Sequence, residues 1–290
     1  MPRVLIAGCG YVGAATADLF HVSGWNVEGW TSSLESAAAL SSKPYAIRAV
    51  DLTNAEAVAQ GASEFEAVIH CASTKGGGAA AYRSIYLQGA RNLVAALPKA
   101  VLLFTSSTSV YAQSDAQWVT EESPALPERE TARVLRETEE FVLMHGGTVA
   151  RLAGIYGPGR SALLRKFLAG EAVIDPVDRF LNQVHRDDIA AAIMLLTTRA
   201  GEGSLGDGSR IYNVSDGHPM LQRDCYRWLA THLSRPLPPK TIAPTERKRG
   251  RSNKRVSSKK LQALGWEPLY PTFETAMLKS ILPTLSMCGA

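Results

Sequence analysis

The stretch RVLIAGCGYVG, residues 3–13, constrains this chain more than any other. A short run of β-prone apolar residues ends in Gly8, Gly10 and Gly13, and a helical pattern then runs from Val12 to Val22, closed by Gly24. A strand that passes through G-x-G-x-x-G directly into a helix is the opening of a dinucleotide-binding βα unit. Gly8 permits the tight turn, Gly10 lets a pyrophosphate approach the backbone, and Gly13 lets the helix pack closely on the strand. Tyr11 and Val12 lie between these glycines, where the helix N-terminus presents oriented N–H donors to a phosphate.

The same beat continues. NVEGW (26–30), AIRAVDL (46–52), EAVIHCA (66–72), AVLLFTSS (100–107) and GTVARLAGIYG (147–157) read as strands, with helical patterns at 54–62, 80–97 and 128–145. Strands of this length alternating with helices predict an α/β fold with a doubly wound parallel sheet, the Rossmann arrangement. After residue 157 the beat weakens to helices at 161–169 and 187–199, a short strand RIYNVSD, and helices near 219–233, 257–264 and 272–281. The expected division is a nucleotide-binding domain over 1–155 and 181–216, with a smaller substrate-binding lobe over 156–180 and 217–290.

Composition excludes several classes. The chain has 290 residues, enough for a substantial core, and 46% hydrophobic content, which is ordinary for a globular protein. No stretch approaches the roughly 18 apolar residues of a membrane span, and no signal-peptide pattern opens the chain, so a cytoplasmic location is expected. Cys9, Cys71, Cys225 and Cys288 lie far apart without metal-ligand spacing, so no metal site is expected. The net charge of +4 is local: residues 247–260 hold eight Lys or Arg and no acid. No helix-turn-helix or RNP-like pattern accompanies that run, which argues against nucleic acid as a partner.

At the end of the second strand the sequence reads Trp30-Thr31-Ser32-Ser33, without the carboxylate that would hold a ribose 2′-hydroxyl. Small hydroxyls tolerate a 2′-phosphate, so the choice between NADP and NAD leans to NADP. Asp51, after the third strand, is placed either to meet the adenine or to cap the following helix.

GCGYVG, VDL (50–52), VIHCAS (68–73), FTSSTSVYA (104–112), RLAGIYGPGR (151–160), VHRDDIAAA (184–192), YNVSD (212–216) and KRVSSKKLQALGW (254–266) occur in this order. Together they resemble the extended short-chain dehydrogenase/reductases, the NAD(P)-dependent sugar epimerase/dehydratase group, over nearly the whole chain. The glycine spacing is closer to an atypical, YeeZ-like subgroup. The resemblance adds Leu52, Cys71, Ala72 and Ser73 to the expected cofactor contacts and makes Ser107 the residue that hydrogen-bonds the reacting oxygen. It also implies a Tyr-x-x-x-Lys pair on the next helix, the Tyr as acid/base and the Lys lowering its pKa. Counting back from Glu139, which matches a usual Glu of that helix, those positions hold Thr131 and Leu135. Neither residue can do this work.

Three readings follow. The chain is an NAD(P)-dependent oxidoreductase or epimerase in which Tyr111, Tyr156 or His185 moves the proton. Or it binds NAD(P) without chemistry, as a regulatory or scaffold protein. Or the cofactor site is vestigial and the basic run binds nucleic acid. For a substrate, the strongest pointers are cationic: Arg160 and Arg255 suit an anionic small molecule because Arg pairs bidentately with phosphate. Asn182 and Asp188 match family positions too, Asn182 as a further substrate contact, while Asp188 reads as a helix N-terminal acid. By analogy of fold, a homodimer would form through the helices after strands four and five.

Overall fold

The computed structural model describes residues 1–74, 76–206, 208–241 and 252–287. Its early strands are β1 (Arg3–Ala7), β2 (Asn26–Thr31), β3 (Ala46–Ala49), β4 (Ala67–His70) and β5 (Val101–Ser107). They are followed by β6 (Trp118–Val119), β7 (Thr148–Leu152), β8 (Gly154–Tyr156), β9 (Phe180–Leu181) and β10 (Gln183–His185). The last are β11 (Ile211–Val214), β12 (Met220–Leu221) and β13 (Arg255–Val256). Seven of them form one sheet in the order β11-β7-β5-β4-β1-β2-β3, parallel at the β2–β3, β1–β2, β1–β4 and β4–β5 pairs. The strand order reverses at β1, so the crevice at the carboxyl ends of β1 and β4 is where such a sheet takes a ligand.

The intervening helices are α1 (Tyr11–Val22), α2 (Leu34–Ala38), α3 (Ala55–Gly61), α4 (Ala79–Tyr82), α5 (Gly89–Ala96) and α6 (Glu130–Met144). Further on lie α7 (Ala162–Leu168), α8 (Arg186–Gly201) and α9 (Gln222–His232). The doubly wound sheet therefore stands as the sequence implied, with three differences. The strand expected at 147–157 breaks after Leu152, so that β7 stays in the sheet while β8 pairs with β10. The third strand stops at Ala49, where pairing with β2 ends, and does not run on to Leu52. The single helix expected at 80–97 is three pieces, because Arg83–Gln88 between α4 and α5 is π-helical. Helical periodicity in sequence does not separate α from a one-turn π segment.

Contacts divide the chain into two compact units. The first comprises Met1–Val110, Ala125–Arg151 and Ile189–Tyr212. Its core is the sheet itself: Val4, Leu5, Ile6, Ile69, Leu103 and Phe104 have no exposed surface, as expected of parallel strands covered on both faces. The second comprises Tyr111–Pro124, Leu152–Asp188 and Asn213–Ala290. Here Tyr156, Leu164, Phe167, Cys225, Tyr226, Leu229, Phe273 and Met277 form one buried cluster. Short strand pairs β8–β10, β9–β12 and β6–β13 tie its loops together. Among the described residues no helix is long and apolar enough to cross a membrane.

Candidate active site

The glycine loop leaves β1 at its carboxyl end. Gly8 has φ +105°, and a Cβ there would come within 2.2 Å of the Ala72 backbone nitrogen. A Cβ on Gly13 would come within 2.2 Å of the Gly8 carbonyl oxygen. These two positions are closed by the protein's own backbone. Gly10 is different: among the described residues a Cβ there meets nothing within 4 Å, so the space above it is open. Gly10 is the N-cap of α1, no described side chain caps that end, and the first turn carries no acid. An uncapped helix start beside a small open space suits a pyrophosphate, so the residues fit the dinucleotide that the motif implies.

The other expected cofactor residues belong to the same unit, and of these Cys71 and Ala72 lie against the loop. Cys71 lies beneath it, its Sγ donating to the Gly8 carbonyl at 3.3 Å, and burial pushes its thiol well above the usual range. Cys9 is likewise buried, which raises its thiol to about 12. Both are inert packing thiols. Ala72 touches Gly8, while Ser73 is exposed in the loop after β4. Thr31 ends β2 with its hydroxyl donating to the Ser33 carbonyl at 3.1 Å. Ser32 and Ser33 are exposed, and Ser33 caps α2 by accepting the Ser36 N–H. Asp51 is exposed and accepts from the Thr53 N–H and hydroxyl, each at 2.9 Å. It does not cap α3; Asn54 does, through the Ala57 N–H. Leu52 is buried, and its carbonyl accepts from the Asn92 side chain.

Ser107 ends β5, half-buried, with its Oγ accepting the Ser109 N–H at 3.1 Å. The preceding Ser106 faces α6 and donates to Glu139 at 2.6 Å. Glu139 has no exposed side-chain surface, and Arg151 of β7 binds it through Nε at 3.0 Å and Nη2 at 2.7 Å. Arg136 adds a third contact at 2.6 Å. A buried carboxylate with a bidentate guanidinium admits no slippage of the helix. α6 is thereby pinned to β5 and β7, one and two turns beyond Leu135 and Thr131. Leu135 is buried among packing contacts and Thr131 is half-buried.

The three side chains considered as proton donors all belong to the second unit and are all buried. The Tyr111 hydroxyl donates to Asn213 at 2.9 Å, and Asn213 in turn donates to the Ser257 carbonyl. His185 bonds Ser280 through Nε2 at 2.9 Å and receives the Asp187 N–H on Nδ1; burial first, opposed by Asp187, holds its pKa down at about 4. Tyr156 packs on His185 and Phe273, its hydroxyl buried without a partner among the described residues and its pKa raised chiefly by burial. These placements give all three residues work in the core. Asp188 also does more than begin a helix: its carboxylate accepts the Leu269 and Tyr270 N–H groups, while burial raises it to about 6.

Of the expected substrate residues, Arg160 is exposed on the Gly157–Arg160 turn. Asn182 spans β13, donating to the Lys254 carbonyl at 2.9 Å and accepting the Val256 N–H at 2.6 Å. Both ends of its amide serve the strand that carries Arg255. Arg255 stacks between Trp118 and Phe180, with its guanidinium carbon 5.1 and 5.3 Å from the two ring centroids. These residues line a cavity of about 460 Å³ with His218, Met220 and Glu274. The sequence offered no signal for the aromatic partners, because Trp118 meets Arg255 only through the β6–β13 pairing. It also gave none for Lys254, which is buried, donates to the Tyr111 carbonyl at 2.9 Å, and is lowered to about 8 by burial. The first residues of the basic run, 247–251, lie outside the described residues.

The model for the NAD dependent epimerase/dehydratase family matches residues 4–215. Protein YeeZ of Escherichia coli strain K12 is 32% identical over 235 residues, covering 76% of this chain and 80% of YeeZ. A Methylobacillus flagellatus structure provisionally assigned as an NAD-dependent epimerase/dehydratase superimposes with a TM-score of 0.78 at 26% identity, covering 100% of this chain and 99% of its own. The UDP-glucose 4-epimerase of Thermus thermophilus, solved with NAD, shares the fold at a TM-score of 0.79 and 20% identity, with both chains covered completely. A match to the family model that begins one residue into β1 and ends beyond β11 takes in the whole sheet: this chain belongs to the NAD-dependent epimerase/dehydratase family, within the extended short-chain dehydrogenase/reductases.

Proposed function

We propose that this protein is an NAD(P)-dependent oxidoreductase or epimerase that acts on an alcohol or carbonyl of a phosphorylated or nucleotide-linked substrate, without a Tyr-x-x-x-Lys pair. The observation that carries this reading is the open space above Gly10 at an uncapped helix start, between two glycines that the fold itself closes. When bound, the nicotinamide would supply hydride chemistry. Backbone N–H groups in the first turn of α1, from Tyr11 to Gly13, would hold the phosphates, since those of Gly8, Cys9 and Gly10 already donate to the Trp30 and Gly8 carbonyls. Thr31, Ser32 and Ser33 present no carboxylate to repel a 2′-phosphate, which favours NADP over NAD. Asp51 and Leu52 would border the adenine, and Cys71, Ala72 and Ser73 would line the far side of the loop. Ser107 would hydrogen-bond the reacting oxygen. Arg255, held by aromatic faces, and Arg160 would meet the anionic part of the substrate, while Asn182 keeps the strand of Arg255 in place.

Thr131 and Leu135 favour a second reading, an NAD(P)-binding regulatory or scaffold protein. One experiment separates the two. The protein is incubated with C4-deuterated NADPH or NADH and a panel of nucleotide sugars and sugar phosphates. Mass spectrometry follows label gain and NMR follows epimer formation. Label or epimer in any panel member supports the enzyme. Tight cofactor binding with an unchanged panel supports the binder.

A further inference from the structure

The helix after β4 holds a tyrosine that none of the readings above uses. Tyr86 lies in the π-helical segment Arg83–Gln88, and π segments inserted between α-helical stretches are frequent at functional sites. Its ring packs on His70 at the end of β4 and on Phe104 of β5, with centroids 6.4 and 6.0 Å apart. Its backbone carbonyl meets His70 Nε2 at 3.1 Å. The residues that follow these two strand positions are the expected cofactor loop Cys71–Ser73 and, three beyond Phe104, Ser107. Tyr86 therefore sits at the carboxyl edge of the two strands whose ends carry the proposed chemistry.

The phenol oxygen is held by the loop itself. Hydrogen bonding with Ser73 and with Thr74, through its side chain and backbone, favours the ionised phenol. Donors converging on a phenol oxygen stabilise the phenolate, which is the task a neighbouring lysine performs in the usual pair. Tyr82 stands edge-on to Tyr86 at 5.0 Å, and Arg83 binds Glu137 of α6 at 2.8 Å. The π segment and the helix bearing Thr131 and Leu135 are thus joined within one unit. Burial outweighs the donors and raises the Tyr86 pKa, so the phenol keeps its proton at neutral pH and is present as the acid.

We infer that Tyr86 is the proton-transferring residue of the proposed reaction, its phenol held by Ser73 and Thr74 in place of the absent tyrosine–lysine pair. The inference rests on the hydride-transfer reading. In the direction of reduction, a bound reduced nicotinamide would supply the hydride that the carbonyl carbon gains. The Tyr86 O–H bond breaks and its proton goes to the carbonyl oxygen, giving the alcohol. The phenolate left behind is held by Ser73 and Thr74 until water reprotonates it. Oxidation runs the same steps in reverse.

The test uses the full chain with NADPH or NADH and the labelled-hydride panel. Tyr86→Phe preserves ring packing and is expected to lower label transfer by at least about a hundredfold, the usual scale of general acid catalysis, with dinucleotide affinity within about twofold. The double variant Ser73→Ala, Thr74→Val should lose roughly tenfold, because the backbone hydrogen bond remains. Tyr82→Phe should stay within about threefold of wild type. A readout independent of turnover is the ζ-carbon resonance of 13C-labelled tyrosine, assigned by its loss in Tyr86→Phe. It should move when NADP+ or NAD+ saturates the protein. Transfer by Tyr86→Phe within about threefold of wild type, or an unmoved resonance in cofactor-saturated protein, overturns the assignment. A wild type that binds cofactor and moves no label overturns the hydride reading itself, and is told apart from a failure of Tyr86 alone by that inactivity.

Discussion

The glycine loop and α6 stand on neighbouring parts of the same sheet and have had opposite fates. The loop has kept both of its tasks: Gly8 and Gly13 fit against backbone, and Gly10 opens onto space a phosphate would fill. On α6 the structure shows packing and an anchor. Glu139 still locks the helix to Ser106 and Arg151, while the positions where an acid and a cation are expected hold Thr131 and Leu135. Anchoring and chemistry are separable demands on one helix. The anchor involves a buried charge, whose loss is costly, whereas Thr131 and Leu135 carry no charge and sit on the helix without such a partner demand.

That contrast can be broken at four points. The largest effect is expected at Gly8→Ala, where positive φ and a backbone atom 2.2 Å away combine; we expect a loss above about 4 kcal/mol, or no soluble folded protein, in a denaturant titration. Native-like stability would show that the loop is not closed by Ala72. Glu139→Ala leaves Arg151 buried without its counter-charge and should cost about 3–4 kcal/mol by the same measurement. A cost below about 1 kcal/mol would mean that α6 is held by its apolar stripe alone.

The third point is pH. Burial holds His70 down at about 4 against an ordinary value of 6.5, and its Nδ1 has no hydrogen-bond partner among the described residues. A group whose folded pKa is depressed contributes stability above its unfolded pKa and loses it as pH falls toward the folded value. Unfolding free energy should therefore drop by up to about 3 kcal/mol for His70 between pH 6.5 and 4. His70→Phe should flatten that slope by about one proton, leaving the part that belongs to His185. An unchanged slope would place the acid sensitivity elsewhere. The smallest effect is expected at Leu135→Met, a volume-conserving change on a buried face. It should cost less than about 1.5 kcal/mol and leave dinucleotide binding and label transfer as in wild type, since Leu135 serves packing only.

Much of the first unit was legible in the sequence because its signals are local. A strand, three glycines and a helix follow one another without interruption, and β4 and β5 open on apolar runs, AVI and VLLF. The apolar face of α6 was legible too: Val134, Leu135, Thr138 and Val142 are buried. What escaped was set by distance or by subtle geometry. Trp118 and Arg255 meet through strands far apart in sequence, and two-residue strands leave no periodic trace. The π segment carries the apolar spacing of an ordinary helix, so the sequence does not single out Tyr86. Tyr111 and His185 looked available because sequence does not show that Asn213 and Ser280 already engage them.

Gly10 offers the most direct test of the claim that this fold still holds a dinucleotide. Its φ of −98° lies outside the left-handed region, and a Cβ there meets no described protein atom within 4 Å, so Gly10→Ala should keep the fold while intruding on the phosphate. Calorimetric titration with NADPH and NADH should show saturable binding by wild type, and an affinity lowered at least about tenfold, or about 1.4 kcal/mol, in Gly10→Ala at unchanged melting temperature. Equal affinity in the two proteins, or no binding by wild type at millimolar dinucleotide, would contradict it.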